Sequence, residues 1–368
     1  MHNLTIGVIG IGKLGLGLSL NFERAGFSVC GCDIRGDYVN QLRDRKYSTI
    51  EPEINLLLNS ATNFWPTTSL KKTVDASDVI YITVRTETES DGSYDVSQVD
   101  SVINSLVGLG KQKEAKTLIV NCNVNPGYTR TVDQRLSDLN YKTSFNPEWV
   151  AQGTIVKNQA EPDVIVIGEY DEHEGSKISG LYEKMCLNDP VVYKMDSLSA
   201  EITKVSLNCF LTTKITFANM VGDLANKVGA NTDLILKAIG SDSRIGEKYF
   251  SYGFGYGGPC FPRDNRAMIK FANDNGIEPL LPEATQRYND KHLEYQIAQL
   301  EGSTPKGQEI IVNGVTYKCG VDILEGSQQL LYAKSLAEKG YRVVVKDISS
   351  VCNQVQEIYG DLFEYHVE

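Results

Sequence analysis

The stretch "LTIGVIGIGKLGLGLSLNFERAGFSVCGCDI", residues 4–34, decides the reading of the fold. It opens on a short apolar run, "LTIGVIG" (4–10), of the length of a buried strand. A helical pattern over 11–26 follows and stops at Gly26, and "FSVCGCDI" (27–34) reads as the next strand. Between strand and helix, Gly10, Gly12 and Gly15 stand in the spacing GxGxxG. Alone that spacing is a weak signal; closing a strand and opening a helix gives it physical content. The first glycine permits the tight turn, the second lets backbone approach a pyrophosphate, and the third lets helix pack on strand. The open N–H groups of the helix N-terminus then face the phosphates. Asp33 closes the second strand, 23 residues after Gly10. A carboxylate there accepts hydrogen bonds from both adenosine ribose hydroxyls and repels a 2′-phosphate. The expected cofactor is NAD, with Arg35 the nearby residue that argues the other way.

Working outward, further strands read at "DVIYITV" (78–84), "TLIVNCN" (117–123) and "DVIVIG" (163–168), with helical patterns between several of them. This alternation predicts a mainly parallel sheet covered on both faces. The expected N-terminal domain, residues 1–195, is therefore an α/β, Rossmann-type doubly wound sheet. From Asp196 to Gly229 no strand-like break occurs, and the segment predicts one helix, apolar on much of its circumference. A helix of ~30 residues spans about 45 Å, longer than a small domain. It is expected to link two domains and to pack against a second subunit, within a helical central region over 196–303. A strand in "STPKGQEIIVNGVTYKCG" (303–320), a helix over 327–340 and a strand over 341–348 then predict a smaller, shortened C-terminal α/β domain, 304–368.

Bulk composition is that of a soluble globular protein: 41% hydrophobic and 23% charged residues in a chain of 368. A formal net charge of −11 argues against nucleic-acid or membrane-surface partners, so an anionic ligand needs a local basic pocket. No basic leader precedes the first strand and no run of ~18 apolar residues occurs. The eight cysteines have neither paired CxxC spacing nor the density of a disulfide framework. The expected compartment is the cytosol with reduced thiols, and no metal is expected.

The most unusual composition lies in "GFGYGGPCFPRD" (253–264), where four glycines and two prolines surround Cys260. Such a segment cannot be the interior of a helix or strand. It is either a turn filled by a cysteine or a rigid loop that presents a thiol. Asp264 follows four residues later and Arg244 precedes it in "SDSRIG". On the long helix, Lys204 and Asn208 are four apart and share one face.

These residues resemble the UDP-glucose/GDP-mannose dehydrogenase family of nucleotide-sugar dehydrogenases over nearly the whole chain. "GFGYGGPCFPRD" is similar to the family's active-site loop, and "SAEITKVSLNCFLTTKITFAN" to its central helix, with Lys204 and Asn208 at functional positions. "FNPEWVAQG" (145–153) resembles a substrate-contacting segment that carries Glu148. "NCNVNPGYT" (121–129) resembles the segment at the nicotinamide end of the cofactor, with Asn123 in it. "GVTYKCG" (314–320) resembles the entry to a nucleotide-binding domain, with Lys318 at a lysine position. The resemblance implies NAD-dependent oxidation of a sugar primary alcohol to the acid through a Cys260 thiohemiacetal and thioester, with UDP-glucose the expected substrate. It implies that Lys204 stabilises the negative oxygen, that Asn208 and Asp264 position a water, and that Glu148 is a base for hydrolysis. Arg263 is expected on the cofactor side. Arg244, Tyr249 and Gly257 are expected on the substrate side, with Arg244 reaching the site of a neighbouring subunit in a homodimer.

Several positions depart from the family pattern. Cys122, Asn123 and Val124 stand for Ser-Thr-Val, Gln152 for a second glutamate, Arg263 for a lysine and Glu325 for an arginine. The chain also reaches only Glu368, so its nucleotide-end pocket is expected to be built differently. UDP-N-acetylhexosamines and GDP-mannose remain alternative substrates. Two other classes stay open: a two-electron hydroxyacid dehydrogenase, which has no need for Cys260, and a cofactor- or nucleotide-sugar-binding protein without turnover.

Overall fold

The protein is described here by a computed structural model covering residues 4–368, and it divides into two compact units. The first extends up to Lys204 and the second runs from Val205 to Glu368.

In the first unit, strands β1 (Thr5–Ile9), β2 (Ser28–Cys32), β3 (Phe64–Thr67) and β4 (Val79–Ile82) are followed by a short hairpin, β5 (Glu87–Thr88) and β6 (Tyr94–Asp95). Then come β7 (Lys116–Val120), β8 (Tyr141–Phe145), β9 (Val164–Gly168) and β10 (Val191–Met195). Apart from the hairpin they form one sheet in the order β10-β9-β8-β7-β4-β1-β2-β3. Pairing is parallel from β3 across to β8 and again between β9 and β10, while β8 and β9 meet antiparallel where Phe145 opposes Gly168. Side chains such as Ile6, Val8, Val29, Val79 and Ile80 are fully enclosed, as a strand covered on both faces requires. The chain reverses its winding between β1 and β4. In an open α/β sheet that point, at the strands' carboxyl ends, is where ligands bind.

The expected strands are present, shorter by a residue or more at their ends. Three further strands of this sheet read poorly as sequence. β3 is "FWPT", with Pro66 tolerated because the strand lies at the sheet edge. β10 is the opposite edge and largely exposed, and β8, "YKTSF", is only partly apolar. The long helix is continuous over Ser197–Val228, 32 residues or about 48 Å.

The second unit continues from that helix through helices Thr232–Gly240, Phe261–Asp274 and Leu280–Ser303. It closes with a three-stranded parallel sheet, β11 (Glu309–Asn313), β12 (Arg342–Asp347) and β13 (Glu364–Val367), in that order. Helices Gln328–Glu338 and Ser349–Tyr359 pack on it around Val312, Leu336, Val343, Val345 and Val355. The exposed edge strand β13 went unread in the sequence. Among the described residues no helix is long and apolar enough to cross a membrane.

Candidate active site

Gly10 takes φ +92°, and its N–H donates to the Cys32 carbonyl, so the turn is bound to the end of β2. A Cβ on Gly15 would sit 2.2 Å from the Gly10 oxygen, so only glycine lets the helix seat here. In front of Gly12 there is open space, and Gly12 caps helix Lys13–Arg24 without a side-chain hydrogen bond. No acidic residue occupies that helix's first turn. Open N–H groups, a bare backbone and the positive end of a helix dipole together suit a pyrophosphate. Asp33 lies at the end of β2, buried, with both carboxylate oxygens held by the Arg35 guanidinium at 2.9 Å. Arg35 itself is largely exposed and stacks over the Tyr38 ring.

Beyond β7, Asn123 sits partly buried in a loop fixed by two residues that the sequence reading passed over. Asn125 exchanges two hydrogen bonds of 2.9 Å with the backbone of Tyr94. Glu201, from the start of the long helix, accepts the N–H groups of Gly127 and Thr129 at 2.5 and 2.8 Å. The available signal was a carboxylate in an otherwise apolar helical stretch.

Glu148 follows β8. Asn121 reaches its carboxylate at 3.4 Å, and burial pushes its pKa up to about 6, against the pull of hydrogen bonds from Asn121 and Gln159 and of the Lys204 charge. Gln159 is itself tied to the Leu14 carbonyl and to Asn21 of the first helix. The buried Lys204 ammonium donates to the main-chain oxygen of Glu148 at 2.7 Å and lies 4.6 Å over the Trp149 ring. Gln152 Oε1 and Trp149 Nε1 are enclosed without a hydrogen-bond partner. The far end of this segment hangs from Glu51, another residue unread in the sequence, which accepts the N–H groups of Gly153 and Ile155.

In the second unit Cys260 is exposed and occupies the N-cap position of helix Phe261–Asp274, with proline in the first turn. A helix N-terminus favours negative charge. The carboxylate of Asp264 is fully buried, accepting the Asn208 amide at 2.5 Å and Arg263 Nε at 3.1 Å. Cys209, also on the long helix, is a different kind of thiol: burial, then the Asp264 charge, push its pKa up to about 12.

The loop glycines are used by the protein itself. A Cβ on Gly255 would meet the Asn289 amide at 2.3 Å, and one on Gly257 would meet the Gly326 carbonyl at 2.1 Å. Gly258 has φ +80° and packs on the Tyr317 ring. Asn219 binds the backbone of Gly253 and Phe254, and Asn289 binds both backbone groups of Tyr256. Tyr249 is left-handed at φ +61°, an uncommon state for a bulky residue, with its ring edge-on to Phe261. Arg244 projects into solvent, 87% exposed and bonded to Asp242. Lys318 lies beside the Tyr317 ring in the C-terminal part. Thus Lys204 meets Glu148 in the first unit, and Asn208, Arg263 and Asp264 converge in the second.

Two family models match this chain. One, described as "UDP-glucose/GDP-mannose dehydrogenase family, NAD binding domain", covers residues 4–186; the other, the central domain of the same family, covers 198–291. A UDP-glucose 6-dehydrogenase of Rhizobium meliloti is 30% identical over 97% of this chain and 84% of its own length. One from Pseudomonas aeruginosa is 29% identical over 92% and 78%. The solved structure of a UDP-glucose dehydrogenase from Pyrobaculum islandicum superposes with a TM-score of 0.91 at 30% identity, over all of this chain and 87% of the other.

Proposed function

Because the chain belongs to the UDP-glucose/GDP-mannose dehydrogenase family of NAD-dependent oxidoreductases, we propose that it converts UDP-glucose to UDP-glucuronate through Cys260. The observation that carries this reading is the placement of Cys260. It is an exposed thiol at a helix N-terminus, four residues from a buried carboxylate that Asn208 holds in place.

NAD, held by the Gly10–Gly15 turn and by Asp33, supplies the hydride acceptor for both oxidations. The ribose hydroxyls take the carboxylate oxygens that Arg35 now covers. The sugar's primary alcohol first loses a hydride and its hydroxyl proton to become an aldehyde; the Cys260 thiolate adds to the aldehyde carbon, giving a thiohemiacetal whose oxygen takes a proton. Loss of the second hydride together with that oxygen's proton leaves a thioester. Water cleaves its C–S bond, which releases the acid and restores the thiol. A thiol suits this route because it is strongly nucleophilic near neutral pH and leaves readily. Lys204 stabilises the developing oxyanion, and Asn208 with Asp264 positions the water. Glu148 takes the proton of that water, a role for which a carboxyl titrating near neutrality is suited. Asn123 and Arg263 contact the cofactor, and Tyr249, Gly257, Lys318 and Arg244 contact the nucleotide sugar.

The working form is proposed to be a homodimer joined along the long helix. Phe210, Phe217 and Leu224, seven residues apart, form one apolar stripe with exposures of 65, 46 and 65%. Arg244 is then able to reach a partner's site.

The test counts NADH formed per sugar consumed across UDP-glucose, UDP-N-acetylhexosamines and GDP-mannose. Two per UDP-glucose supports the reading, and two on another sugar reassigns the substrate. One overturns the four-electron route, and none across the panel identifies a binding protein. Cys260→Ser should form no acid while still binding NAD.

A further inference from the structure

The end of β2 carries a guanidinium to which the reaction above gives no task. Arg35 closes a fork on Asp33, with Nε on one carboxylate oxygen and Nη2 on the other, both at 2.9 Å. Its own backbone N–H donates to the same carboxylate at 3.1 Å. The guanidinium carbon lies 4.2 Å from the centre of the Tyr38 ring. Tyr38 is itself fixed: its hydroxyl donates at 2.7 Å to the carbonyl of Ile11, inside the glycine turn, and its ring stands edge-on to Tyr47 at 5.1 Å. Asp33 is 8% exposed, whereas the Arg35 side chain is 56% exposed and Ile34 between them 95%. The acid is enclosed, and the guanidinium above it is open to a ligand.

Two opposite rules meet at this strand end. A carboxylate there binds the ribose 2′-hydroxyl of NAD, and a nearby arginine accommodates the 2′-phosphate of NADP. A bare carboxylate repels that phosphate, but one gripped by a guanidinium presents a pair without net charge. Guanidinium takes phosphate oxygens with the same planar fork that it sets on a carboxylate. The Tyr38 face under it keeps the fork oriented while it changes partner. Once the fork turns to a phosphate, Asp33 retains the Arg35 N–H and is free to accept the ribose 3′-hydroxyl. The enclosed carboxylate is then not left without donors, which would be costly.

We propose that Arg35 is a specificity-determining residue for the cofactor: its guanidinium, resting on Tyr38 and masked by Asp33, is a seat for a 2′-phosphate, and the chain takes NADP as a second cofactor beside NAD. With NAD, the ribose hydroxyls donate to Asp33. With NADP, the fork leaves the carboxylate for the phosphate, and Asp33 keeps the 3′-hydroxyl. The nicotinamide is the same in both, so the hydride step is unaltered. The inference rests on the reading of the Gly10–Gly15 turn and Asp33 as the dinucleotide site, and not on Cys260.

Isothermal titration of the full chain with NAD and with NADP, in the absence of sugar, reads the seat independently of turnover. Wild type should bind NADP within roughly tenfold of NAD, because the fork exchanges one charge-assisted pair for another. Arg35→Leu leaves Asp33 bare. It should weaken NADP by at least about tenfold, the loss that a charged hydrogen-bond partner brings, and NAD by much less. Asp33→Asn keeps the side-chain shape but releases the fork, and should bind NADP more tightly than NAD. Wild type that binds NAD but not NADP overturns the second cofactor. Equal losses of NAD and NADP in Arg35→Leu overturn the role of Arg35, and an Asp33→Asn variant without preference for NADP overturns the masking. Wild type that binds neither dinucleotide removes the underlying site, and this inference with it.

Discussion

Asn208 and Asp264 lie 56 residues apart in sequence and are joined by a 2.5 Å hydrogen bond beside Cys260. The amide of the long helix holds a carboxylate that has no contact with solvent. A buried charge is tolerated only when donors surround it. The pair therefore does two things at once, orienting the first turn of the helix that carries Cys260 and giving an enclosed carboxylate a donor.

Replacing Asn208 by leucine should expose this dependence. Leucine fills similar volume but removes a donor from the buried carboxylate, at a cost of about 1–3 kcal/mol. Asn208→Asp should cost more, because two carboxylates would meet at hydrogen-bond distance. Thermal melts near neutral pH should rank wild type above the leucine variant and the aspartate variant last. Equal melting of all three would mean that the pair contributes nothing to the folded state.

Glu148 gives a pH prediction whose sign follows from burial. Its carboxyl titrates near about 6 in the fold against an ordinary value of 4.5. The folded chain thus holds this proton more tightly than the unfolded one, and stability falls as pH rises between those values. Below about 4.5 nothing is lost; above about 6 the full penalty, roughly 2 kcal/mol, applies. Glu148→Gln should therefore melt higher than wild type at about pH 8 and match it at about pH 4, while acid formation drops. In wild type the hydrolytic step should rise with pH through about 6. If Glu148→Gln gains no more over wild type at the alkaline pH than at the acid one, the carboxyl is well solvated.

The first βαβ unit was legible because strand, glycine turn, helix and terminal acid are contiguous, so local chemistry alone specifies them. The long helix was legible for a similar reason: 32 residues without proline leave few alternatives. Edge strands β3, β10 and β13 were not, because one side of an edge strand meets solvent and its sequence need not be apolar. Nor were Glu51, Asn125 and Glu201, whose partners lie 102, 31 and 74 residues away. A carboxylate that accepts backbone N–H groups from a distant loop leaves no periodic trace. The glycines of the cysteine loop carried a signal that composition could not resolve. Close approach was evident, but Asn289, Gly326 and Tyr317 as the approaching groups were not.

Those glycines can be told apart by substitution. Alanine at Gly258 must adopt φ +80° and place its Cβ 2.5 Å from the Tyr317 ring. A left-handed residue costs about 1–2 kcal/mol and overpacking about 1–3 kcal/mol more. At Gly253 nothing lies within 4 Å of a Cβ. Gly258→Ala should lower the melting temperature by several degrees and impair acid formation, and Gly253→Ala should stay close to wild type in melting. Similar melting of the two variants would mean that the loop shifts freely against Tyr317.

The stripe along the long helix yields the last prediction. Phe210 and Leu224 are each 65% exposed on a face shared by residues seven apart. In a two-fold interface each side chain is buried twice. Burying one large apolar side chain contributes about 1.5–3 kcal/mol, so losing both copies weakens association by at least about a hundredfold. Phe210→Glu and Leu224→Glu also place a charge, without a partner, in the proposed apolar contact. In sedimentation velocity wild type should run as a dimer and each variant as a monomer at micromolar concentration. Because Arg244 is proposed to act in the partner's site, the monomeric variants should also lose acid formation while still binding NAD. A wild-type monomer, or variants that remain dimeric, would remove the long helix as the interface.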